Sequence, residues 1–177
     1  MDTAQDDYVN CFACGAKSLN IGGECHPYML AVPGCWEMFN EIMAKEYSDF
    51  RYGMGHQFTV DAYACQHIGD GKDARAMRSV HIHLASLYGI FEKKIDVHQA
   101  PLLRKEFSQY YKNKNVLQWL DPPASFGELT ILELWENEIP ELHKPLAEKW
   151  ARSVWASWSH QHQRIADLVN AVKTWAF

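Results

Sequence analysis

Four of the five cysteines lie between positions 11 and 35, and this clustering constrains the fold more than any other sequence feature. The stretch reads CFACGAKSLNIGGECHPYMLAVPGC and has the spacing Cys-x2-Cys-x10-Cys-x9-Cys. Two thiolates separated by two residues can reach one ion, and Gly15 can supply the positive φ that such a turn needs. Four thiolates suit zinc in a closed tetrahedral site. The sequence therefore predicts a zinc site with Cys11, Cys14, Cys25 and Cys35 as ligands.

Other assignments for these side chains stay open. His26, directly after Cys25, is a competing ligand. Cys35 stands beside Trp36 at the start of an amphipathic segment, where a cysteine can also be a buried apolar residue. A redox dithiol is less consistent with the pattern, because its first cysteine usually sits at a helix amino terminus, whereas a glycine-containing loop follows Cys14.

Composition narrows the class of protein. The formal net charge of −5 argues against nucleic acid as a partner, since nucleic-acid binders usually carry a basic surface. The first ten residues are acidic and polar, and no apolar run approaches the roughly 20 residues that span a bilayer. We therefore expect a cytoplasmic protein without membrane contact. In that reducing compartment, clustered cysteines more often bind metal than form disulfides.

Apolar residues recur at helical spacing through the chain that follows. The four stretches that predict helices are PGCWEMFNEIMAKEYSD, HQFTVDAYACQHIG, DARAMRSVHIHLASLYGIFEKK and APLLRKEFSQYY. Asp73 and Asp96 are predicted to cap the third and fourth of them. At 177 residues the chain is expected to form one domain, with a cysteine-rich loop at 11–35 and a helical bundle at 36–177.

The last third of the chain is predicted to hold a loop and two more helices. Two adjacent prolines and a glycine indicate a loop through residues 112–127. Thr130 and Glu133 fit a capping box for a short helix, and Pro140 suits the first turn of a final long helix reaching residue 177. The predicted fold is an all-α bundle of about five or six helices with an amino-terminal metal-binding loop.

The histidines suggest a second centre. His56, Tyr63 and His67 fall on one face of the predicted second helix, because seven and eleven residues are close to two and three turns. His162 lies on the face of two tryptophans in the last helix, and His83 lies near the apolar face of the third. We expect His56, Tyr63, His67 and His162 to form a catalytic cluster, which could also hold a second transition metal.

The chain resembles the bacterial family catalogued as domain of unknown function 5946. The resemblance rests on CFACGA, on Cys35 with Phe39 and AKEYSD, on HQFTVDAYACQHIG, on LDPPASFGELTI and on EKWARSVWASWSHQH. That family has no established activity. The resemblance implies that one set of residues acts together in this family: Cys11, Cys14, Cys35, His56, Tyr63, Gln66, His67 and His162. It supports Cys35 more firmly than Cys25 as a ligand and offers His56 or His67 as the replacement for Cys25.

Three functions fit these patterns. The first is a metal-dependent enzyme acting on a small molecule through the His/Tyr cluster. The second is a non-catalytic binding or regulatory module for a protein or ligand, with its loop held by a structural zinc. The third is a metal or redox sensor that uses the thiols. A closed site favours the second and an open coordination position favours the first. From the sequence we favour the first, since a buried His–Tyr–His stripe is costly to maintain for packing alone.

Overall fold

The computed structural model describes residues 7–114 and 116–172. Within this part of the chain, a two-stranded hairpin precedes a bundle of α-helices. The antiparallel strands are β1 (Tyr8–Asn10) and β2 (Lys17–Leu19), paired with Val9 opposite Ser18. The predicted cysteine-rich loop thus contains a hairpin, and Cys11 and Cys14 lie in the turn between its strands.

The helices follow in chain order. They are α1 (Pro33–Ser48), α2 (Phe50–Gly53), α3 (His56–Gln66), α4 (Ala74–Phe91), α5 (Ala100–Tyr111), α6 (Ile131–Trp135), α7 (Pro140–Ser157) and α8 (His162–Asn170). Short 3₁₀ turns, Val97–Gln99 and Ser159–Gln161, precede α5 and α8. The prediction of a mostly helical chain with an amino-terminal cysteine-rich segment is confirmed.

The described residues contain two more helices than the upper end of the prediction. One is α2, a single turn that Asp49 starts by accepting a hydrogen bond from the backbone N–H of Arg51. The other arises because the predicted final helix is divided into α7 and α8. The His162 ring stacks on the Trp155 ring at 3.7 Å, and its Nε2 lies 2.9 Å from the Trp155 carbonyl oxygen. This fold-back occupies a carbonyl that a continuous helix would use. The predicted end of that helix, residues 173–177, lies outside the described residues.

Several predicted helix starts are confirmed by their caps. Thr130 and Glu133 form the capping box of α6, and Pro140 is in the first turn of α7. Asp73 caps α4 by accepting from a backbone N–H. Asp96 caps the 3₁₀ turn Val97–Gln99, which leads into α5, rather than α5 itself.

The hairpin and the bundle share one hydrophobic core. α3 packs against α7, α4 and α1, while β2 and α6 pack against α1. The largest fully buried side chains of this core include Trp150, Trp158, Tyr63 and Phe107. Cys11 and Cys35 belong to the same buried cluster, so the hairpin turn and the start of α1 lie against the centre of the bundle. Among the described residues, no helix combines the length and apolarity needed to cross a bilayer.

Candidate metal centre

The hairpin turn holds the first two thiols in a compact loop. The Cys11 N–H donates to the Ala16 carbonyl at 2.8 Å, and the Gly15 N–H donates to the Cys11 carbonyl at 2.8 Å. Gly15 has a φ of 83°, a conformation that favours glycine, as predicted. The Ala16 N–H lies 3.5 Å from Cys14 Sγ, so the turn directs a backbone donor at this sulfur. This is the loop geometry expected of a two-cysteine knuckle.

The third thiol enters from α1 because the hairpin approaches this helix very closely. Cys35 lies in the first turn of α1, directly after Gly34. A Cβ at Gly34 would lie 2.2 Å from the Leu19 carbonyl oxygen and 2.8 Å from Ser18 Oγ. Glycine therefore permits the contact between β2 and α1 that brings Cys35 to the knuckle.

The fourth donor is His67, the residue that ends α3. Its Nε2 lies 3.4 Å from Cys35 Sγ and 3.7 Å from Cys11 Sγ, and the Cys14 and Cys35 sulfurs are 3.7 Å apart. The donor atoms of Cys11, Cys14, Cys35 and His67 all lie within 4.8 Å of one another. Bond lengths of about 2.3 Å to sulfur and about 2.0 Å to nitrogen place tetrahedral donors about 3.8 Å (S···S) and 3.5 Å (S···N) apart. The group is thus geometrically suited to one tetrahedral metal ion.

The hydrogen bonding of His67 leaves the correct nitrogen free. Nδ1 lies 2.8 Å from the Tyr63 carbonyl oxygen, which can only accept, so Nδ1 carries the proton. Nε2 then presents its lone pair toward the sulfurs. A histidine ligand that donates its other N–H to a backbone carbonyl is typical of metal sites in proteins.

The three thiols strongly influence one another's ionisation. Hydrogen bonds from Cys14 and Cys35 hold the pKa of the Cys11 thiol well below its usual range. The neighbouring Cys11 raises the pKa of Cys14 to about 12, and it also raises the pKa of Cys35. The neighbouring thiols therefore stabilise a thiolate at Cys11, and this thiolate opposes ionisation of Cys14 and Cys35. A divalent cation would supply the positive charge that three thiolates require.

Tyr63 borders the group rather than joining it. Its hydroxyl oxygen is 3.8 Å from Cys35 Sγ, and its ring stacks on the His67 ring with centroids 3.8 Å apart. The side chain is completely buried, and this burial raises the pKa of the Tyr63 hydroxyl. The hydroxyl stays protonated and can donate to the Cys35 sulfur.

Cys25 and His26 lie outside the group of donors, which corrects the expectation of four cysteine ligands. Cys25 Sγ donates to the Ala31 carbonyl at 3.2 Å. His26 Nδ1 accepts from the backbone N–H groups of Tyr28 and Met29, at 3.4 Å and 3.1 Å. Both side chains brace the loop between β2 and α1. The family resemblance implied His56 or His67 as the replacement for Cys25, and the structure brings His67 to the other three donors.

His56 is separated from His67, although both lie on one helical face. Eleven residues at about 1.5 Å per residue put them about 16 Å apart along the axis. His56 Nδ1 instead lies 2.8 Å from Glu46 Oε2, and His143 Nε2 lies 2.7 Å from Glu46 Oε1. The expected single cavity for His56, Tyr63 and His67 is therefore not formed.

The remaining predicted side chains have structural partners. His162 stacks on Trp155, as described above, and does not belong to the group of donors. Gln66 donates to the carbonyls of Phe126 and Leu129 at 3.0 Å and 2.8 Å and accepts from Trp150 Nε1 at 3.1 Å. Gln66 thereby holds the loop before α6 against α3.

Two buried carboxylates, Glu46 and Asp61, form polar clusters with histidines. Glu46, on α1, accepts from Thr59 at 2.6 Å in addition to its two histidines. Asp61, on α3, is fully buried and accepts from His83, Ser86 and Arg104. The sequence contains a signal of this burial. Glu46 lies one helical turn after the buried Ile42, and Asp61 directly precedes the buried Ala62. A charged side chain in such apolar surroundings needs a partner.

Fold and site together define a mostly helical protein with a Cys3His group that could hold a metal ion. The model of a family of unknown function, DUF5946, matches residues 9–159, and the chain belongs to this family. All four donors lie within the matched region, and His162 lies beyond it. No curated protein and no solved structure gives a significant match to the chain.

Proposed function

We propose that the Cys3His group binds one zinc ion as a structural centre, and that the chain is a binding module rather than a metal-dependent enzyme. The observation that carries this proposal is the convergence of four donor atoms within 4.8 Å from the hairpin turn, the start of α1 and the end of α3. One ion there would tie together three segments that are distant in sequence.

The donor set supports zinc in particular. Three thiolates and one imidazole are soft to borderline ligands in near-tetrahedral positions, and zinc has no geometric preference that opposes this arrangement. Hard cations such as Mg²⁺ and Ca²⁺ require oxygen ligands, which the group lacks.

A structural role is supported by the number and burial of the donors. Catalytic zinc sites typically keep one position for water, with three protein ligands, whereas structural sites use four. Cys35 and His67 are fully buried, Cys11 is 2% exposed and Cys14 is partly exposed, so three of the four donors have almost no contact with solvent. The separation of His56 and His162 from this group also removes the support for a joint catalytic cluster.

A binding role is supported by the two clefts that border the zinc-tied segment. One, of about 380 Å³, lies between β2, α1 and α6 and includes Leu19, Gly34 and Trp135. The other, of about 330 Å³, lies between the loop residue Tyr28 and the first half of α4. An ion that holds both ends of the segment between Cys11 and Cys35 would also hold one wall of each cleft, because Leu19 and Tyr28 lie within this segment.

Cobalt(II) in place of zinc tests both parts of the proposal. We expect the intense d–d bands of a tetrahedral ion with thiolate charge-transfer absorption. In Cys35→Ser, which should bind the ion more weakly, this absorption at saturating cobalt should be lower by about a third, because one of three thiolates is removed. Added azide should leave the spectrum unchanged, since no coordination position is open. A spectrum that azide alters would support the enzyme instead, and failure of cobalt and zinc to bind would overturn the proposal.

A further inference from the structure

A second polar centre lies apart from the sulfurs, at the junction of α3, α4 and α5. Asp61 is fully buried and accepts three hydrogen bonds: from His83 Nδ1 at 2.7 Å, Ser86 Oγ at 2.5 Å and Arg104 Nη1 at 2.7 Å. Arg104 also contacts Gln57 Oε1. The carboxylate is thus completely enclosed by donors, of which His83 and Arg104 are themselves partly exposed.

The chemistry of Asp61 fixes the tautomer of His83. Burial alone would raise the pKa of the Asp61 carboxyl, but the Arg104 guanidinium and His83 outweigh it and hold this pKa below its usual value. An ionised carboxylate only accepts hydrogen bonds, so Nδ1 of His83 carries a proton. The lone pair of the neutral ring is then on Nε2, for which the described residues provide no hydrogen-bond partner.

His83 Nε2 belongs to a side chain that lines an open cleft of about 330 Å³. The cleft is formed by one face of α4 and the loop before α1, with Tyr28, Arg75, Arg78, Ser79, Ile82 and His83 in its walls. This volume lies at the small end of the usual range for ligand sites, roughly 300–1,000 Å³. It suits a molecule the size of a single sugar ring.

The cleft carries positive charge that its own residues only partly neutralise. Arg75 is paired with Asp73 at 2.7 Å and lies over the Tyr28 ring, 5.4 Å from its centroid. Arg78 is exposed and forms no ion pair with the described residues. An anionic group could therefore bind at Arg78 without displacing a carboxylate, and Arg75 is one helical turn away.

We propose that this cleft binds a small sugar phosphate. The phosphate monoester lies at Arg78, with Arg75 beside it, because guanidinium groups match phosphate oxygens in charge and geometry. The sugar ring lies against Tyr28 and Ile82, and one of its hydroxyls donates a hydrogen bond to His83 Nε2. Asp61 acts as the positioning residue that holds His83 in the accepting tautomer.

Calorimetric titration of the zinc-loaded full chain with ribose 5-phosphate tests this inference independently of the metal centre. We expect saturable binding, at least about tenfold tighter than that of ribose or inorganic phosphate, because each of these lacks one of the two recognised groups. Arg78→Gln and His83→Gln should each weaken binding about tenfold. The Arg78 side chain is exposed and the His83 side chain is partly exposed, so both variants should fold.

Matched controls are available at exposed positions elsewhere. Arg51→Gln removes the same charge in α2, and His98→Gln removes an exposed ring before α5; neither should change binding. Nitrogen-15 NMR of the histidines should report a protonated Nδ1 at His83, with the Nε2 signal shifting on addition of ribose 5-phosphate. Two results would overturn the proposal. One is no saturable binding of ribose 5-phosphate at ligand concentrations well above ~1 mM. The other is binding that neither cleft variant weakens. Equal affinity for inorganic phosphate would overturn the sugar part of the proposal.

Discussion

His67 Nδ1 donates to the Tyr63 carbonyl one turn earlier in α3, at 2.8 Å, and this bond turns Nε2 toward the sulfurs. The same residue ends the helix: its backbone N–H makes the last i→i−4 hydrogen bond, to the Tyr63 carbonyl, and its φ of −115° and ψ of 64° leave the helical region. A single backbone oxygen thus accepts the last helical hydrogen bond of α3 and fixes the tautomer and direction of the histidine donor. The histidine of the candidate metal centre is thus held by a helix end, whereas Cys11 and Cys14 are held by the hairpin turn.

His67→Ala should weaken zinc binding by more than about 100-fold, since loss of outer hydrogen-bond partners alone typically costs 10–100-fold. The three thiolates would remain and water would take the fourth position. Competition with a chromophoric chelator measures the change. His56→Ala is the matched control on the same helical face. It should leave zinc affinity unchanged, and an equal loss in both variants would indicate a general effect on folding.

Cys14→Ser and Cys25→Ser should differ sharply, although both cysteines belong to the same sequence cluster. Cys14 Sγ lies 3.7 Å from Cys35 Sγ, whereas Cys25 Sγ donates to a backbone carbonyl. We expect zinc affinity to fall by more than about 100-fold in Cys14→Ser and to stay unchanged in Cys25→Ser. The same chelator competition applies, and a similar loss in Cys25→Ser would make Cys25 a ligand after all.

Gly34→Ala should weaken zinc binding, although Gly34 supplies no ligand atom. The added Cβ would lie 2.2 Å from the Leu19 carbonyl oxygen, so β2 must move away from α1. This movement separates the hairpin thiols from Cys35, and we expect at least about a tenfold loss of zinc affinity with a lower melting temperature. Gly22→Ala, where a Cβ meets nothing within 4 Å, is the control. Equal behaviour of the two variants would contradict the close-contact argument.

Glu46 should make stability depend on pH in the acid range. Burial alone would raise the pKa of the Glu46 carboxyl, but hydrogen bonds from His143, His56 and Thr59 outweigh it and keep the pKa below its usual value. A lowered pKa in the folded state stabilises the protein above the unfolded-state value, about 4.3, and this contribution is lost as pH falls through the folded-state pKa.

Glu46→Gln should therefore lower the free energy of unfolding by about 2 kcal/mol at neutral pH and by less in acid. Urea unfolding at pH 7 and at about pH 3, well below the unfolded-state pKa, measures this difference. The exposed Glu37→Gln on the same helix serves as the control and should change neither value. Because zinc loss in acid affects all forms, the comparison uses the difference between each variant and the parent. A pH-independent difference for Glu46→Gln would contradict the account.

The parts of the fold that follow from local chemistry could be predicted from the sequence. The spacing of apolar residues predicted the main helices. The capping box of Thr130 and Glu133 predicted the start of α6, and Pro140 predicted the start of α7. The division of the last helix could not be predicted, because it depends on the His162 ring folding back onto Trp155. Such a contact leaves no periodic signal.

The candidate site was predictable in its thiols and less so in its histidine. The knuckle spacing indicated Cys11 and Cys14, and the positive φ at Gly15 follows from the turn. Helical periodicity, however, reports the face of a residue and not its position along the axis, so it grouped His56 with His67 across about 16 Å. Choosing His67 over Cys25 requires the tertiary contact between the end of α3 and the hairpin turn.

The metal content of the purified full chain tests the central claim most directly. We predict about one equivalent of zinc per chain in protein prepared without chelator. Cys35→Ser, prepared identically, should contain little or none, while keeping most of its helical circular dichroism because the bundle has its own core. Parent protein without a stoichiometric transition metal, or a Cys35→Ser variant that retains the full zinc content, would contradict the assignment of Cys11, Cys14, Cys35 and His67 as one zinc site.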